Sequence, residues 1–325
     1  MTTHRGRPLK IGLYIPNGDG PMGNGIARWQ DVLTMARRAE DVGFDSVWVA
    51  DHTLFRFDGV PDHGRWECWS LLAALAAATT RVEIGPLVTC MAFRNPALLA
   101  KIAGTVDEIS GGRLILALGA GWHRPEFTAY GFPFDHRAGR FEDGLRIICD
   151  LLRTGRSDYR GRFAAVDGCE LRPRGPRVSG PPIVVGTNGE RLLRLTAQYA
   201  DGWNTTWLRD PSELPPLQAA VDAACHAVGR DPATLARTAC VFLDLPAYEG
   251  RWFWSAPQPP QPRTPQEAAD ILRGFADEGL SHVMLWLDPC TLAGIDAFAE
   301  TIALLDQGRA MAFTPLSLGR ERGRG

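Results

Sequence analysis

The dipeptide Asp51-His52 follows a short β-branched run at residues 44–50 (FDSVWVA). An imidazole titrates near neutral pH and can take up or release a proton, and a nearby carboxylate increases its basicity. Neighbouring residues at the end of a strand point in different directions, so the two side chains need not hydrogen-bond each other. An N-cap beside a surface histidine is the alternative interpretation. The pair is a candidate for catalysis because it follows a predicted strand.

Two glycine-containing segments are candidates for ligand binding. Gly119-Ala120-Gly121 ends another β-branched run, and glycine lets the backbone approach a flat ligand closely, although an ordinary turn explains this segment equally well. Gly186-Thr187-Asn188-Gly189 precedes a helical pattern. The free N–H groups and the dipole at a helix N-terminus favour a phosphate, and a simple capping turn is the alternative.

A third segment imitates a dinucleotide-binding motif. Residues 18–23 read GDGPMG, which has the GxGxxG form, and Asp51 ends the second predicted strand. Asp51 lies about 30 residues beyond the first glycine instead of the usual ~20, and Pro21 favours a loose loop. An NAD-dependent Rossmann dehydrogenase is therefore the least favoured interpretation.

The sequence contains no motif for a metal site or a conventional nucleophile. Its seven histidines are scattered without an HExxH or HxH pattern, and it has neither a GxSxG elbow nor a P-loop lysine. We interpret His63, His136, His226 and His282 as structural or exposed. These absences indicate that a bound cofactor supplies the reactivity.

The elements that must position these residues alternate between β-branched strands and amphipathic helices. Eight strands are predicted, at residues 10–16, 44–50, 82–88, 113–119, 182–186, 201–205, 238–245 and 282–287. Eight such repeats predict an α/β fold, a single (β/α)8 TIM barrel, in which the residues after each strand meet at one end. We expect one domain over residues 1–325 with its core at about 10–307.

Two insertions interrupt this alternation. Residues 154–180 are rich in Arg, Gly and Pro and follow the fourth helix, and residues 247–263 follow the seventh strand. Because the second insertion carries Trp252, Phe253 and Trp254, it is interpreted as a lid or an interface loop, with a proline-stiffened surface excursion as the alternative. The basic end at residues 320–325 is expected to be a frayed tail.

Composition excludes several classes of protein. With 35 basic and 37 acidic residues and a net charge of −2, the chain has no electrostatic footprint for nucleic acid or an anionic membrane. No apolar run reaches the ~18 residues of a membrane span, and no secretory signal is evident. The seven cysteines are widely spaced and form no CxxC, which is typical of reduced thiols. A cytoplasmic location is expected.

Three long segments resemble the luciferase-like monooxygenase superfamily, which includes FMN-dependent oxygenases and oxidoreductases that use coenzyme F420. They are residues 39–52 (AEDVGFDSVWVADH), 93–134 with the block SGGRLILALGAGW, and 181–205 ending in ADGWNT. The resemblance covers most of residues 10–307. It implies a TIM barrel that binds reduced FMN or coenzyme F420 at the carboxyl ends of the strands and acts on an organic small molecule.

The resemblance also implies roles for individual residues. His52 matches the proton donor or acceptor beside the cofactor ring, with Asp51 next to it. The other expected cofactor-binding residues are Leu87 and Val88 at a bulge that is often a non-proline cis peptide, Ala120, Gly121 and Trp122 beside the ring, and Gly186, Thr187, Asn188 and Gly189 at the phosphate. Trp122 stands where the related sugar-phosphate dehydrogenases have a catalytic glutamate, and Glu126 is offset from that position. The acid–base scheme is therefore left open.

The resemblance leaves alternatives open. With FMN, a separate reductase would supply reduced flavin, oxygen would react at the ring, and the pocket would exclude water. With F420, the step would be hydride transfer, and His52 would handle a proton. A flavin-binding barrel that acts as a carrier or sensor without catalysis is the alternative from a different class. Members of the family often form dimers through their outer helices, so the resemblance allows a homodimer, but the sequence does not fix the oligomeric state.

Overall fold

A computed structural model describes residues 6–19, 25–246 and 261–307. Gly18 and Asp19 of the GxGxxG segment are among the described residues, and the rest of that segment lies outside them. Trp252, Phe253 and Trp254 of the second insertion and the basic C-terminal end also lie outside the described residues.

Nine parallel strands form one sheet that closes on itself. They are β1 (Lys10–Tyr14), β2 (Ser46–Val49), β3 (Glu83–Pro86), β4 (Thr89–Cys90), β5 (Leu116–Gly119), β6 (Ile183–Gly186), β7 (Gly202–Leu208), β8 (Ala236–Asp244) and β9 (His282–Asp288). Their order is β3-β2-β1-β9-β8-β7-β6-β5-β4. β3 and β4 stand at opposite ends of this order, and only Leu87 and Val88 separate them in sequence. Together they occupy one strand position and so close the barrel. The predicted TIM barrel, with eight strand positions, is confirmed.

The strand boundaries differ from the prediction in two places. The third strand was predicted to be continuous over 82–88, but its ladder is interrupted at Leu87 and Val88, so β3 pairs with β2 and β4 pairs with β5. The sixth strand, predicted over 201–205, extends through Leu208 because the chain continues its pairing with β8 past an irregularity. Hydropathy patterns do not show where a ladder changes partners.

Helices surround the barrel. They are α1 (Trp29–Val42), α2 (Cys68–Ala78), α3 (Pro96–Ser110), α4 (Arg124–Tyr130), α5 (Arg137–Thr154), α6 (Glu190–Tyr199), α7 (Leu214–Ala227), α8 (Pro265–Asp277) and α9 (Leu292–Gln307). The predicted cap of α3 is confirmed, since the Asn95 side chain accepts hydrogen bonds from the N–H groups of Ala97 and Leu98. The short helix α4 was not predicted because two turns carry too little periodicity. Among the described helices, none is long and apolar enough to cross a membrane.

The first insertion packs along α5. Residues Arg156–Ser157 and Cys169–Glu170 form a small antiparallel hairpin. The Asp143 carboxylate of α5 accepts hydrogen bonds from the Tyr159 hydroxyl at 2.8 Å and from the Phe163 N–H at 2.7 Å. The insertion therefore packs against α5 on the outside of the barrel.

A buried polar network fills the amino-terminal end of the barrel. The Trp48 indole N–H donates to the Ser46 hydroxyl at 2.7 Å, and that hydroxyl lies 2.7 Å from Nε2 of His282. Trp48 fits because Gly12 and Gly85 face it, and a Cβ atom at either glycine would overlap the indole. Burial, with a smaller effect of the Lys10 charge, lowers the pKa of His282 to about 3.

This histidine should make stability depend on pH. In the unfolded chain His282 titrates near 6.5, so between pH 6.5 and about 3 the unfolded state binds more protons than the folded state. The contribution of His282 to the free energy of unfolding should be fully present above pH 6.5. It should decrease with decreasing pH across this window, by at most about 1.4 kcal/mol per pH unit. Denaturant unfolding at several pH values measures the slope.

His282→Gln should flatten that slope, whereas His226→Gln, which changes an exposed histidine of α7, should leave it unchanged. An unaltered slope in His282→Gln would contradict the assignment.

Candidate active site

The carboxyl ends of the strands surround a cavity of about 520 Å³. Ten of the residues predicted for the site line it: Asp51, His52, Leu87, Val88, Ala120, Gly121, Trp122, Gly186, Thr187 and Asn188. Gly189 does not line this cavity but is the N-cap of α6. The structure thus brings together residues from four loops that are far apart in sequence.

The floor of the cavity is formed at the junction of β3 and β4. The peptide bond between Leu87 and Val88 is cis, as the resemblance implied. The Val88 side chain points toward two glycines, since a Cβ atom at Gly119 would lie 2.7 Å from it and one at Gly186 would lie 3.2 Å from it. Because neither glycine has a side chain, Val88 fits against both of them, and all three residues line the cavity.

Asp51 is buried and held by an ion pair. Its carboxylate accepts hydrogen bonds from both terminal nitrogens of Arg94, at 2.7 and 2.9 Å, and from the backbone N–H of Cys90 at 2.9 Å. Burial alone would lower the pKa of Arg94, but the charge and hydrogen bonds of Asp51 outweigh burial and raise it. Arg94 also donates to Glu67. Asp51 therefore ties the end of β2 to the segment that follows β4.

His52 does not contact Asp51 through a hydrogen bond but pairs with Glu126 of α4. Nδ1 of His52 lies 2.8 Å from Oε1 of Glu126. The second oxygen, Oε2, accepts from the backbone N–H of Thr53 at 3.0 Å and from its hydroxyl at 3.3 Å. Glu126 is 1% exposed, whereas the His52 side chain is 18% exposed and lines the cavity. The buried Glu126 carboxylate therefore holds the His52 imidazole in place through Nδ1.

The hydrogen bonds of Glu126 fix the tautomer of His52. Burial raises the pKa of Glu126, but the hydrogen bond to His52, the His52 charge and the Thr53 N–H together lower it below its usual value. Glu126 is then ionised at neutral pH and can only accept, so Nδ1 of His52 donates. The other ring nitrogen, Nε2, remains available for proton exchange.

Trp122 forms an aromatic rim at the cavity. Its side chain is exposed, and its ring lies 5.8 Å from that of His52, 6.2 Å from that of Phe55 and 6.3 Å from that of Phe57, measured between centroids. Trp122 itself has no acid–base group. Glu126 lies four residues further along, on α4, and contacts His52, so the site has a carboxylate despite the offset in sequence.

The segment before α6 has the features of an anion-binding turn. Oγ1 of Thr187 accepts from the Gly189 N–H at 3.1 Å, and Oδ1 of Asn188 accepts from the Thr205 hydroxyl at 2.9 Å. As the N-cap, Gly189 has no side chain to satisfy the first N–H groups of α6. These donors can hold a phosphate.

A second cavity of about 650 Å³ lies beside this turn. Four arginines line it, Arg124, Arg137, Arg162 and Arg191, together with three carboxylates, Asp135, Glu142 and Asp143. Arg137 also donates to the carbonyl oxygen of Gly121 at 2.9 Å, which links this second cavity to the first one. The charges of both signs in its lining do not single out an anionic ligand. Among residues 6–19, 25–246 and 261–307, no cluster of side chains suits a metal ion.

A family model described as luciferase-like monooxygenase matches residues 9–244. The chain belongs to this family. Pyrimidine monooxygenase RutA from Rhizobium rhizogenes is 31% identical over 244 residues, which cover 69% of this chain and 64% of that protein. The 5,10-methylenetetrahydromethanopterin reductase of Archaeoglobus fulgidus is 33% identical over 175 residues, covering 54% and 48%. The matches thus span less than two thirds of these relatives.

Two solved structures share the fold. An F420-dependent secondary alcohol dehydrogenase in complex with an F420–acetone adduct superposes with a TM-score of 0.75 at 22% identity, covering 91% of this chain and 99% of that chain. A riboflavin lyase with modified FMN and riboflavin also gives 0.75, at 16% identity, covering 92% and 91%. A closed barrel of this kind is incompatible with the open sheet of the Rossmann interpretation.

Sequence reasoning missed several residues of this luciferase-like site. Arg94 precedes the predicted N-cap Asn95 and gave no signal of its partner, which lies 43 positions earlier. Glu126 gave a weak signal, as an acidic residue just after the fourth strand. The aromatic residues Tyr14, Trp207 and Trp286 also line the cavity, but each follows the hydropathy of its strand and carries no motif.

Removal of Arg94 should be costly because Asp51 would remain buried without its partner. Arg94→Leu should lower the free energy of unfolding by roughly 3 kcal/mol, and adding Asp51→Asn should recover part of that loss. Denaturant unfolding measures both values. The control Arg38→Leu, which breaks an exposed pair with Asp296, should cost under ~1 kcal/mol. Equal losses for the two arginine variants would contradict this account.

Proposed function

We propose that this luciferase-like protein is an oxidoreductase that uses reduced FMN or coenzyme F420 and acts on an organic small molecule in the 520 Å³ cavity. The observation that carries the proposal is the His52–Glu126 hydrogen bond at the wall of this cavity. It gives the cavity a proton-exchanging group with a fixed tautomer. The relatives named as a monooxygenase and a reductase support the same reaction class.

The residues present fit such a cofactor. The open floor above Val88, bordered by Gly119 and Gly186, suits a flat ring, and the uncapped start of α6 with Thr187 suits a phosphate. We assign nine residues to cofactor binding: Leu87, Val88, Ala120, Gly121, Trp122, Gly186, Thr187, Asn188 and Gly189. When bound, FMN would supply oxygen activation and F420 would supply hydride transfer.

Residues of this chain then move a proton at His52 and limit the access of water to the imidazole. Glu126 keeps the proton of His52 on Nδ1, so Nε2 can accept a proton from the substrate or return one. Asp51 acts as a positioning residue, because both of its oxygens are committed to Arg94 and the Cys90 N–H. Trp122 and Phe55 cover the side of the imidazole and limit access of water.

Binding and turnover assays distinguish the cofactors. The purified protein is titrated with FMN and with F420, and a panel of alcohols, aldehydes and heteroaromatic compounds is screened for absorbance changes of the bound cofactor. Product formation that requires oxygen and a flavin reductase would assign FMN, and anaerobic product formation with F420 would assign hydride transfer. Tight cofactor binding without turnover would favour the non-catalytic barrel, and no binding would refute the proposal.

His52→Ala tests the proton-transfer role. With a substrate from that screen, kcat should fall by roughly 100-fold or more, because a positioned general acid or base contributes about that much. Cofactor affinity, measured by absorbance titration, should stay within about twofold because the other binding residues are intact. His226→Ala, at an exposed position on α7, is the matched control. Unchanged kcat in His52→Ala would remove His52 from the mechanism.

Glu126→Gln tests the positioning role of the carboxylate. The Thr53 N–H needs an acceptor, so the amide oxygen of the new side chain would face Thr53 and its NH₂ group would face Nδ1 of His52. The imidazole would then carry its proton on Nε2. We expect kcat to fall by roughly tenfold or more, and ¹⁵N NMR should place the His52 proton on Nε2.

Glu108→Gln, which alters an exposed acidic residue of α3 outside both cavities, serves as the control for loss of a negative charge. A Glu126→Gln enzyme with the parent kcat and with the His52 proton still on Nδ1 would contradict the role assigned to the carboxylate.

A further inference from the structure

The loop between β2 and α2 forms part of the cavity wall. We refer to residues 53–64 as the β2 loop. It contains a small hairpin in which Leu54–Phe55 pairs with His63–Gly64. Phe55 is buried and lines the cavity, and its ring centroid lies 4.3 Å from that of His52. The position of this loop therefore decides how the His52 imidazole is covered on one side.

Two side chains at the start of α4 hold the β2 loop. Oε2 of Glu126 accepts from the backbone N–H of Thr53 at 3.0 Å, and Nε2 of His123 accepts from the backbone N–H of Arg56 at 3.0 Å. The two donors are three positions apart on the loop, and the two acceptors are three positions apart on the segment that begins α4. Side chains of this segment therefore satisfy backbone groups on either side of the short strand in the loop.

His123 serves the β2 loop and not its own helix. It is the N-cap of α4, but its side chain makes no hydrogen bond to the N–H groups of that helix. His123 is 4% exposed, and its ring centroid lies 4.8 Å from that of Phe57 and 5.5 Å from that of Phe55. Within the described part of the chain, its bond to Arg56 is the hydrogen bond that joins residues 56–62 to another element.

The bond to Arg56 also fixes the protonation of His123. Nε2 can accept from a backbone N–H only when this nitrogen carries no proton. Burial lowers the pKa of His123, the Glu126 charge partly offsets this effect, and the His52 charge lowers the pKa further. The ring is therefore neutral at pH 7, with its proton on Nδ1 and its acceptor directed at the loop.

We propose that His123 is a positioning residue that holds the β2 loop closed beside His52. The proposal rests on the proposed function, because an effect on turnover requires His52 to exchange the proton. Through its bond to Arg56, His123 keeps Phe55 next to the imidazole, where this ring limits the access of water. His123 does not belong to the residues that line the cavity, so it acts through the loop and not on cofactor or substrate.

Amide hydrogen exchange in the cofactor-free protein tests the bond directly. His123→Leu removes the acceptor, whereas His123→Gln keeps an acceptor atom at a similar distance from Cα. We expect the protection factor of the Arg56 amide to fall roughly three- to tenfold in His123→Leu, because the net gain of one hydrogen bond is lost, and to be retained in His123→Gln. The Val283 amide of β9 should keep its parent protection and shows that the barrel stays folded.

A matched pair of amide side chains keeps the test decisive if His123→Leu fails to fold. His123→Asn carries the same amide as His123→Gln but is one methylene shorter, so it does not reach the Arg56 N–H. Protection of Arg56 should fall in His123→Asn and remain in His123→Gln. Equal protection of the Arg56 amide in the parent and in a folded Leu or Asn variant would overturn the proposal.

Turnover tests the consequence for His52. With the cofactor and substrate found in the screen, kcat should fall by roughly fivefold or more in His123→Leu and His123→Asn, and His123→Gln should restore most of it. Cofactor Kd should stay within about twofold of the parent value, because the cofactor-binding residues are intact. A variant that is only less stable would keep the parent kcat in its folded fraction.

The two readouts distinguish failure of this proposal from failure of the proposed function. If a cofactor binds and turns over, and kcat is unchanged although the Arg56 amide has lost protection, the positioning role is wrong and the proposed oxidoreductase remains. If neither FMN nor F420 binds, the proposed function fails and the role of His123 in turnover fails with it, whatever amide exchange shows for the loop.

Discussion

Closure of the parallel sheet at the third strand position is the constraint on which the rest of the structure depends. Because β3 pairs with β2 and β4 pairs with β5, two short segments joined by Leu87 and Val88 complete the ring of strands. Closure places the carboxyl ends of every strand around one cavity and puts Val88 at its floor. The site residues reach each other only because the sheet closes.

Two buried carboxylates organise this cavity in different ways. Asp51 is neutralised by Arg94 and ties together two loops, so its charge is used for structure. Glu126 is paired with a histidine that reaches the cavity, so its charge sets the protonation pattern of a reactive group. A buried carboxylate needs such compensation because desolvation of an unpaired charge is costly. The same rule explains why the cavity combines aromatic walls with few ionisable groups.

The sequence predicts the architecture well because the information is local. Eight strand positions, the cap at Asn95 and the glycines at 119, 121 and 186 follow from hydropathy, turn chemistry and a family resemblance. The partners of Asp51 and His52 do not follow, since Arg94 and Glu126 approach them only after the barrel closes and α4 forms. The ring contacts among Tyr14, Trp207 and Trp286 are also beyond sequence reasoning, because these rings come from strands separated by up to 272 positions, from Tyr14 to Trp286.

The position of the His52 proton, with and without cofactor, shows most directly whether Glu126 fixes the tautomer of this histidine. In protein with ¹⁵N-labelled histidine, NMR reports which imidazole nitrogen carries the proton before and after addition of FMN or F420. We expect His52 to carry its proton on Nδ1, and we expect cofactor binding to change the Nε2 resonance while the Nδ1 proton stays in place. A proton on Nε2 in the free protein, or no response of Nε2 to either bound cofactor, would contradict it.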